Sequence, residues 1–378
     1  MTRRTSRRFG AARVALILAT VCVTSVGLIS PASAHGGSTK YVRPGPGTPI
    51  QKAIDAAGPG DRILVGRGTY AEQLTIDKDG ISLVGLGAIL VPPPKPGSND
   101  CSGLAGAGTE AGICVEGSDL KFADFVVEHR EVSSVGRRVE DVSITGFQVR
   151  GFSGENIAVV GAQDARVTGN RLTDGTRYGF LTAGSTNTRI SANTVKTTTG
   201  LQFIGVCMDD VAGVEVSYNH ISGYGTALCV QTPGAEVQRN DVSDNCTGVY
   251  VDPGVDGARI HDNHITGTNR DCAPPPTTPP TLFYVFGIAL AGAVNTQVRH
   301  NRIEGQTAPA PGGFAAGIAV FDFTPPAPGA VTVASGNVVA QNFLRNNDVD
   351  LGLKSGGTGN VFTQNKCTIG EPSELCPK

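Results

Sequence analysis

VTGNRL (167–172), ISANTV (190–195), VSYNHI (216–221), VQRNDV (237–242), IHDNHI (260–265), VRHNRI (298–303), VAQNFL (339–344) and FTQNKC (362–367) are eight copies of one phrase, V-x-x-N-x-[VIL] or a near variant. The asparagines Asn170, Asn193, Asn219, Asn240, Asn263, Asn301, Asn342 and Asn365 are separated by 23, 26, 21, 23, 38, 41 and 23 residues. A fixed turn residue returning about every 22 residues marks a solenoid, in which equivalent residues of successive coils stack into columns. The asparagines are predicted to bond up and down the stack at one tight corner, a structural role with no chemistry assigned.

A dozen or so residues after each asparagine comes a second strand, as in GVYVD (248–252), TALCVQ (226–231) and AGIAVFD (316–322). Alternation within these is the period-two signal of a strand with one buried face. Val249 and Val251 turn inward while Tyr250 and Asp252 turn out. Phe125 and Phe147, 22 residues apart, place coils before the asparagine ladder begins, for ten to eleven in all. Tryptophan is absent and aromatic residues make up 6%, which suits a narrow core of stacked Val, Ile and Leu.

Residues 1–34 read as a secretory signal: Arg3, Arg4, Arg7, Arg8 and Arg13 lead, Val14–Ile29 is apolar, and Ala32-Ser33-Ala34 offers a cleavage site. Domain 35–378 remains. Without the leader's five arginines, the 31 basic and 33 acidic side chains become 26 and 33, a formal charge of −7. That excess of acid excludes nucleic acid as a partner. No later run is long enough to span a membrane, so a secreted, monomeric protein is expected. Loss of Cys22 leaves eight cysteines in an oxidising compartment. Taken in order they form local pairs, Cys101–Cys114, Cys207–Cys229, Cys246–Cys272 and Cys367–Cys376, although spacing alone leaves connectivity open. PIQKAIDAA (49–57) reads as a short amphipathic helix with Pro49 in its first turn, placed to cap the open end of the stack.

The opening PIQKAIDAAGPGDRILVGRGTYAEQLTIDKDGISLVG and the V-x-x-N-x-I ladder resemble the right-handed parallel β-helix (pectate-lyase-like) superfamily over about residues 40–370. The resemblance implies an all-β, single-stranded solenoid of about ten coils with an N-terminal capping helix. It implies carbohydrate polymers as targets, through lyase or glycoside hydrolase action, or a non-catalytic binding or adhesion module; metal handling is a third reading. Of the N-T-D, D-D, G-H-G and R-I-K strings of polygalacturonase-like hydrolases only Asp209-Asp210 is present, and the D-P-H string of mannuronan epimerases is missing. No activity therefore transfers residue by residue.

In that superfamily substrate lies along one outer sheet, here the GVYVD sheet. Counting from each asparagine puts Glu116, Asp209, Gln231, Asp252, Ala291 and Lys354 in one outward column, with Cys114, Cys207, Cys229 and Tyr250 beside it. Asp209, Asp210 and Asp252 can hold Ca²⁺ through hard oxygen ligands or share acid and base duty. Tyr250 can donate a proton or stack on a sugar. These four are the candidate catalytic residues, with Gln231 and Lys354 as substrate contacts. EHREVSSVGRR (128–138) gathers His129, Arg130, Arg137 and Arg138, and Arg130 is the guanidinium expected to meet a uronate carboxylate. His220, Asp241, His264 and Arg302, each just after its asparagine, form a second stripe, read as surface charges pairing across strands. Proline-rich insertions at 272–283, 307–313 and 323–330 are expected to flank the same sheet.

Overall fold

The computed structural model describes residues 37–272, 284–325 and 329–377. The expected signal segment and most of the 272–283 insertion lie outside them. Among the described residues, three long parallel sheets of 12, 10 and 11 strands run side by side. Each coil contributes one short strand to each sheet. In one coil these are Arg166–Thr168, Arg171–Thr173 and Tyr178–Ala183, belonging to the first, second and third sheets. Every strand bonds to its equivalent one coil away, for example Val167 with Ile190 and Ile190 with Val216. This is the parallel β-helix that the repeat required.

The corner between first and second sheets explains the repeat. The residue before each asparagine adopts left-handed φ, as in Ala192 at 54°, Tyr218 at 58° and His300 at 54°. Such a conformation is unfavourable for non-glycine residues, and it leaves backbone groups at the bend without sheet partners. The asparagine supplies those partners. Asn193 donates its backbone N–H and side-chain Nδ2 to Asn219 Oδ1 at 2.9 and 3.0 Å, and Nδ2 also reaches the Val167 carbonyl at 2.9 Å. The same pattern continues from Asn170 to Asn365.

Inside the stack, Val167, Ile190, Val216, Val237, Ile260 and Val298 pile up fully or almost fully buried. In two adjacent strands of the third sheet, Gly248 and Gly287 allow coils to touch: a Cβ on either would lie 2.5 Å from the next coil's carbonyl. At the N-terminal end, helix Pro49–Asp55 closes the core with Ile50 and Ile54. Buried Glu72 accepts the Ile50 and Gln51 N–H groups, while Lys78 Nζ donates to the carbonyls of Ile54, Asp55 and Ala57. Both helix ends are thus satisfied.

The four expected disulfides are present, with Cα separations of 6.0, 4.5, 5.5 and 5.5 Å in chain order. They fit an oxidising, extracellular setting. No helix among the described residues is long and apolar enough to cross a membrane.

One expectation needs correcting. Phe147 sits at a coil position, buried, with its N–H on Asn170 Oδ1, but Phe125 does not. It is 40% exposed at the tip of an excursion that leaves the helix after Glu116. This excursion contains an antiparallel pair, Lys121–Phe122 with Val132–Ser134. Together with the Cys101 loop it folds back over the outer face of the third sheet. Cys101, Leu104 and Ala105 pack there on Cys114, Ala158 and Leu181.

Candidate functional site

Register places the outward column as expected. Ala183 pairs with Asp209 and Phe321 with Lys354. The N–H groups of Gln231 and Asp252 bond one coil back, to Met208 and Val230. Cys207, Cys229 and Tyr250 form the adjacent column. Asp209, Gln231 and Asp252 therefore stand on three successive coils, about 4.8 Å apart.

Two further side chains arrive from the excursion. Buried His129 places Nε2 3.0 Å from Asp209 Oδ2 and Nδ1 3.4 Å from the Tyr178 hydroxyl. Glu128 Oε2 accepts from the side-chain amide of Gln231 at 2.9 Å. That same nitrogen donates to Asp252 Oδ2 at 2.8 Å. One amide nitrogen thus holds two carboxyls, which by the sum of the two bonds keeps their bonded oxygens within about 6 Å of each other. The Cys207–Cys229 bridge lies beneath, with Cys229 Sγ 3.9 Å from Glu128 Oε2 and Cys207 Sγ 3.7 Å from Gln231 Oε1.

Burial under the excursion, reinforced by the nearby Glu128 carboxyl, pushes Asp252 up to about 7. Burial likewise raises Glu128, against the opposing pull of His129 and the Gln231 hydrogen bond. Two carboxyls that share one donor and repel each other titrate as a unit, and the pair holds a proton into the neutral range. Tyr250, half-buried next to them, is raised by burial and by Asp252 and so keeps its phenol proton. Asp209, Gln231, Tyr250, Asp252 and Glu128 all keep partial solvent exposure.

Five of the residues singled out in the sequence are not brought to this point. Asp210 follows the last outward residue of its strand, so alternation turns it inward. It is 4% exposed, with Oδ1 accepting from the Thr182 hydroxyl at 2.6 Å and the Ser185 N–H at 3.2 Å, and burial raises it to about 6. It braces a corner rather than facing outward beside Asp209. Arg130 stacks on the Phe122 ring at 4.8 Å and donates Nε to the Ala123 carbonyl. Arg137 pairs with Asp79, and Arg138 donates to the Gly184 carbonyl. Lys354 does share the column but stands three coils beyond Asp252, roughly 14 Å away at the sheet spacing.

The acidic trio considered for Ca²⁺ is accordingly split. Asp210 is in a corner, Asp209 is on His129, and Asp252 is bridged to Glu128 by an N–H donor. An N–H donor bonded to an oxygen of each carboxyl presents a proton where a cation would have to bind, so the donor set fits a hydrogen-bonded acid pair better than a hard metal ion. The histidine stripe runs along the second sheet instead. Exposed His220 and His264 flank Asp241 at 3.2 and 3.5 Å, ordinary cross-strand pairing.

With this geometry established, comparison with known proteins fixes the class. The chain matches the family described as "Right handed beta helix region" over residues 156–366; it belongs to that family. Among solved structures it is similar to the A-module of mannuronan C-5 epimerase AlgE6 from Azotobacter vinelandii, with 14% identity, 85% of this chain and 91% of that chain covered, and a TM-score of 0.51. It is also similar to DFA-IIIase from Arthrobacter chlorophenolicus A6 in complex with DFA-III, with 14% identity, 85% and 91% coverage, and a TM-score of 0.53. The Dettilon tailspike protein gp208 gives 15% identity, 83% and 61% coverage, and a TM-score of 0.50. At such identities these neighbours establish the fold alone. No curated protein matches the chain in sequence.

Proposed function

We propose that this protein is a secreted, carbohydrate-directed hydrolase that cleaves a glycosidic bond in a neutral glycan. The observation that carries this reading is the Glu128–Gln231–Asp252 bridge, two carboxyls joined through one amide. A pair at this spacing suits a retaining mechanism, which needs its carboxyls at about 5–5.5 Å rather than the wider gap that admits a water. Asp252, protonated up to about pH 7, is the general acid for the leaving oxygen. Glu128 is the nucleophile on the other side. Tyr250 offers a ring face and a hydroxyl to the sugar, and the His129–Asp209 pair fixes the segment that carries Glu128.

Lyase action is the weaker alternative, because it needs a cation at a uronate carboxylate. Arg130, the expected cation, is committed to Phe122 and Ala123, and a cluster of carboxyls repels a polyanion. One neighbour is named for mannuronan, which supports carbohydrate as the general target.

The test is a screen of purified mature protein on neutral and uronate glycans, with Glu128→Gln and Asp252→Asn as controls. New reducing ends from a neutral glycan, lost in both variants, support the reading. Unsaturated products detected by ultraviolet absorbance, or cleavage undiminished in the variants, would overturn it.

A further inference from the structure

We propose that the outer face of the second sheet, at its C-terminal end, binds an acidic polysaccharide through Arg302, Arg345 and Lys366. This site is separate from the carboxyl pair, which stands on the third sheet, and it does not rest on the hydrolase reading. Arg302 and Phe343 are register partners on neighbouring coils, and Phe343 bridges in turn to Lys366. Arg345 shares the strand and the outward face of Phe343, with Leu344 buried between them. Three cationic heads gather around that one ring. The Arg302 and Arg345 guanidinium carbons lie 5.2 and 5.7 Å from its centroid, and Lys366 Nζ lies 5.1 Å from it.

Surface pairing accounts for only part of this arrangement. Glu304 pairs with Arg302 and with Arg345, whose Nη2 lies 2.7 Å from its Oε2. One carboxylate thus answers three cations, which leaves an excess of two positive charges. Lys366 meets the ring and, among the described residues, pairs with no carboxylate. Earlier in the same column the signs alternate through His220, Asp241 and His264; from Arg302 to Lys366 they do not. Like charges on neighbouring strands repel, and a bound anion relieves the repulsion that Glu304 leaves. The Arg302 and Arg345 side chains are 51% and 50% exposed, and Lys366 is exposed as well, so their remaining N–H groups are open to a ligand.

The chemistry selects the partner. A guanidinium presents a planar fork of donors that matches a carboxylate. The three cations come from successive coils, so a linear polymer running along the stack passes all of them. The half-buried Phe343 ring offers an apolar contact to the C–H face of a sugar. The chain as a whole carries 33 acidic against 31 basic side chains. That balance disfavours densely charged nucleic acid more than a polyuronate with one carboxylate per sugar.

The experiment measures binding of the full mature chain to polygalacturonate, to a neutral glucan and to single-stranded DNA, at low and high salt. It is repeated with the double variant Arg302→Gln, Lys366→Gln and with Glu128→Gln, thermal melts confirming that each variant folds. The expected result is binding to polygalacturonate that weakens with salt, is unchanged by Glu128→Gln, and falls at least about tenfold in the double variant. No binding by the wild-type chain, or binding undiminished in the folded double variant, would overturn the proposal. DNA bound as tightly as polygalacturonate would overturn it too, since charge alone would then be recognised. None of these outcomes touches the hydrolase reading, which the cleavage screen decides.

Discussion

Replacing Asp252 with asparagine should make the protein more stable at alkaline pH while abolishing its activity. Folding raises this carboxyl from 3.8 to about 7, first by burial and then by repulsion from Glu128. Below pH 4 the group is protonated in both folded and unfolded chains and contributes nothing. Between 4 and 7 the folded chain retains a proton that the unfolded chain has lost, so stability falls as pH rises. Above 7 the full penalty is in force. A shift of roughly three units corresponds to about 4 kcal/mol at about 1.36 kcal/mol per unit. The side chain keeps some contact with water, so about 2 kcal/mol is the reasonable net value. Asparagine keeps an oxygen to accept from Gln231 and loses the charge. D252N should therefore unfold several degrees higher than wild type at pH 8 and at nearly the same temperature at pH 4. Thermal melts at the two pH values measure this, and the difference between differences cancels other titrating groups. If D252N were equally or less stable at pH 8, the buried, repelled acid would be the wrong description of this site.

Three more outcomes are expected. Gln231→Leu removes both bonds that hold the carboxyl pair, so kcat should fall on the order of 10²-fold with the circular dichroism spectrum unchanged; a change in KM alone would argue against a positioning role. Asn219→Ala strands the buried Asn193 N–H and breaks three donor bonds, which should cost roughly 3 kcal/mol or more in urea unfolding, against clearly less for Asn365→Ala in the last rung; equal costs would sink the ladder argument. Glu155, fully buried with neither carboxyl oxygen partnered and burial raising it to about 8, should become stabilising when changed to Gln, with the gain growing from pH 5 to pH 9; a flat profile over that range would count against it.

The stacking was legible because the repeat converts position into height. Counting from the asparagines put Asp209, Gln231 and Asp252 in one column, and hydrogen-bonded register agrees. Alternation, followed strictly, would also have turned Asp210 inward; its adjacency to Asp209 suggested a pair that a strand cannot present on one face. Glu128 and His129 were harder to place. They lie in a segment outside the period, whose path is set by where Leu120, Phe122 and Val132 find apolar surface on the sheet, and no local pattern encodes that docking. The signal available was the run Glu128-His129-Arg130 within the first long departure from the repeat. A guanidinium suits carboxylates, which marks Arg130 for recognition in the sequence, yet the same planar group suits an aromatic face, and it lies over Phe122.

The left-handed position before each asparagine is occupied by Gly169, Ala192, Tyr218, Arg239, Asp262, His300, Gln341 and Gln364, seven residue types in eight coils. Because the amide rung behind it carries the bend, that position is released from any demand on its side chain, and each winding becomes a brick of standard height. Adding or removing one whole winding would leave every neighbour's bonds in kind as they were. The molecule can thus change length in units of about 23 residues, and with it the distance between its cap and its carboxyl pair, without renegotiating its core.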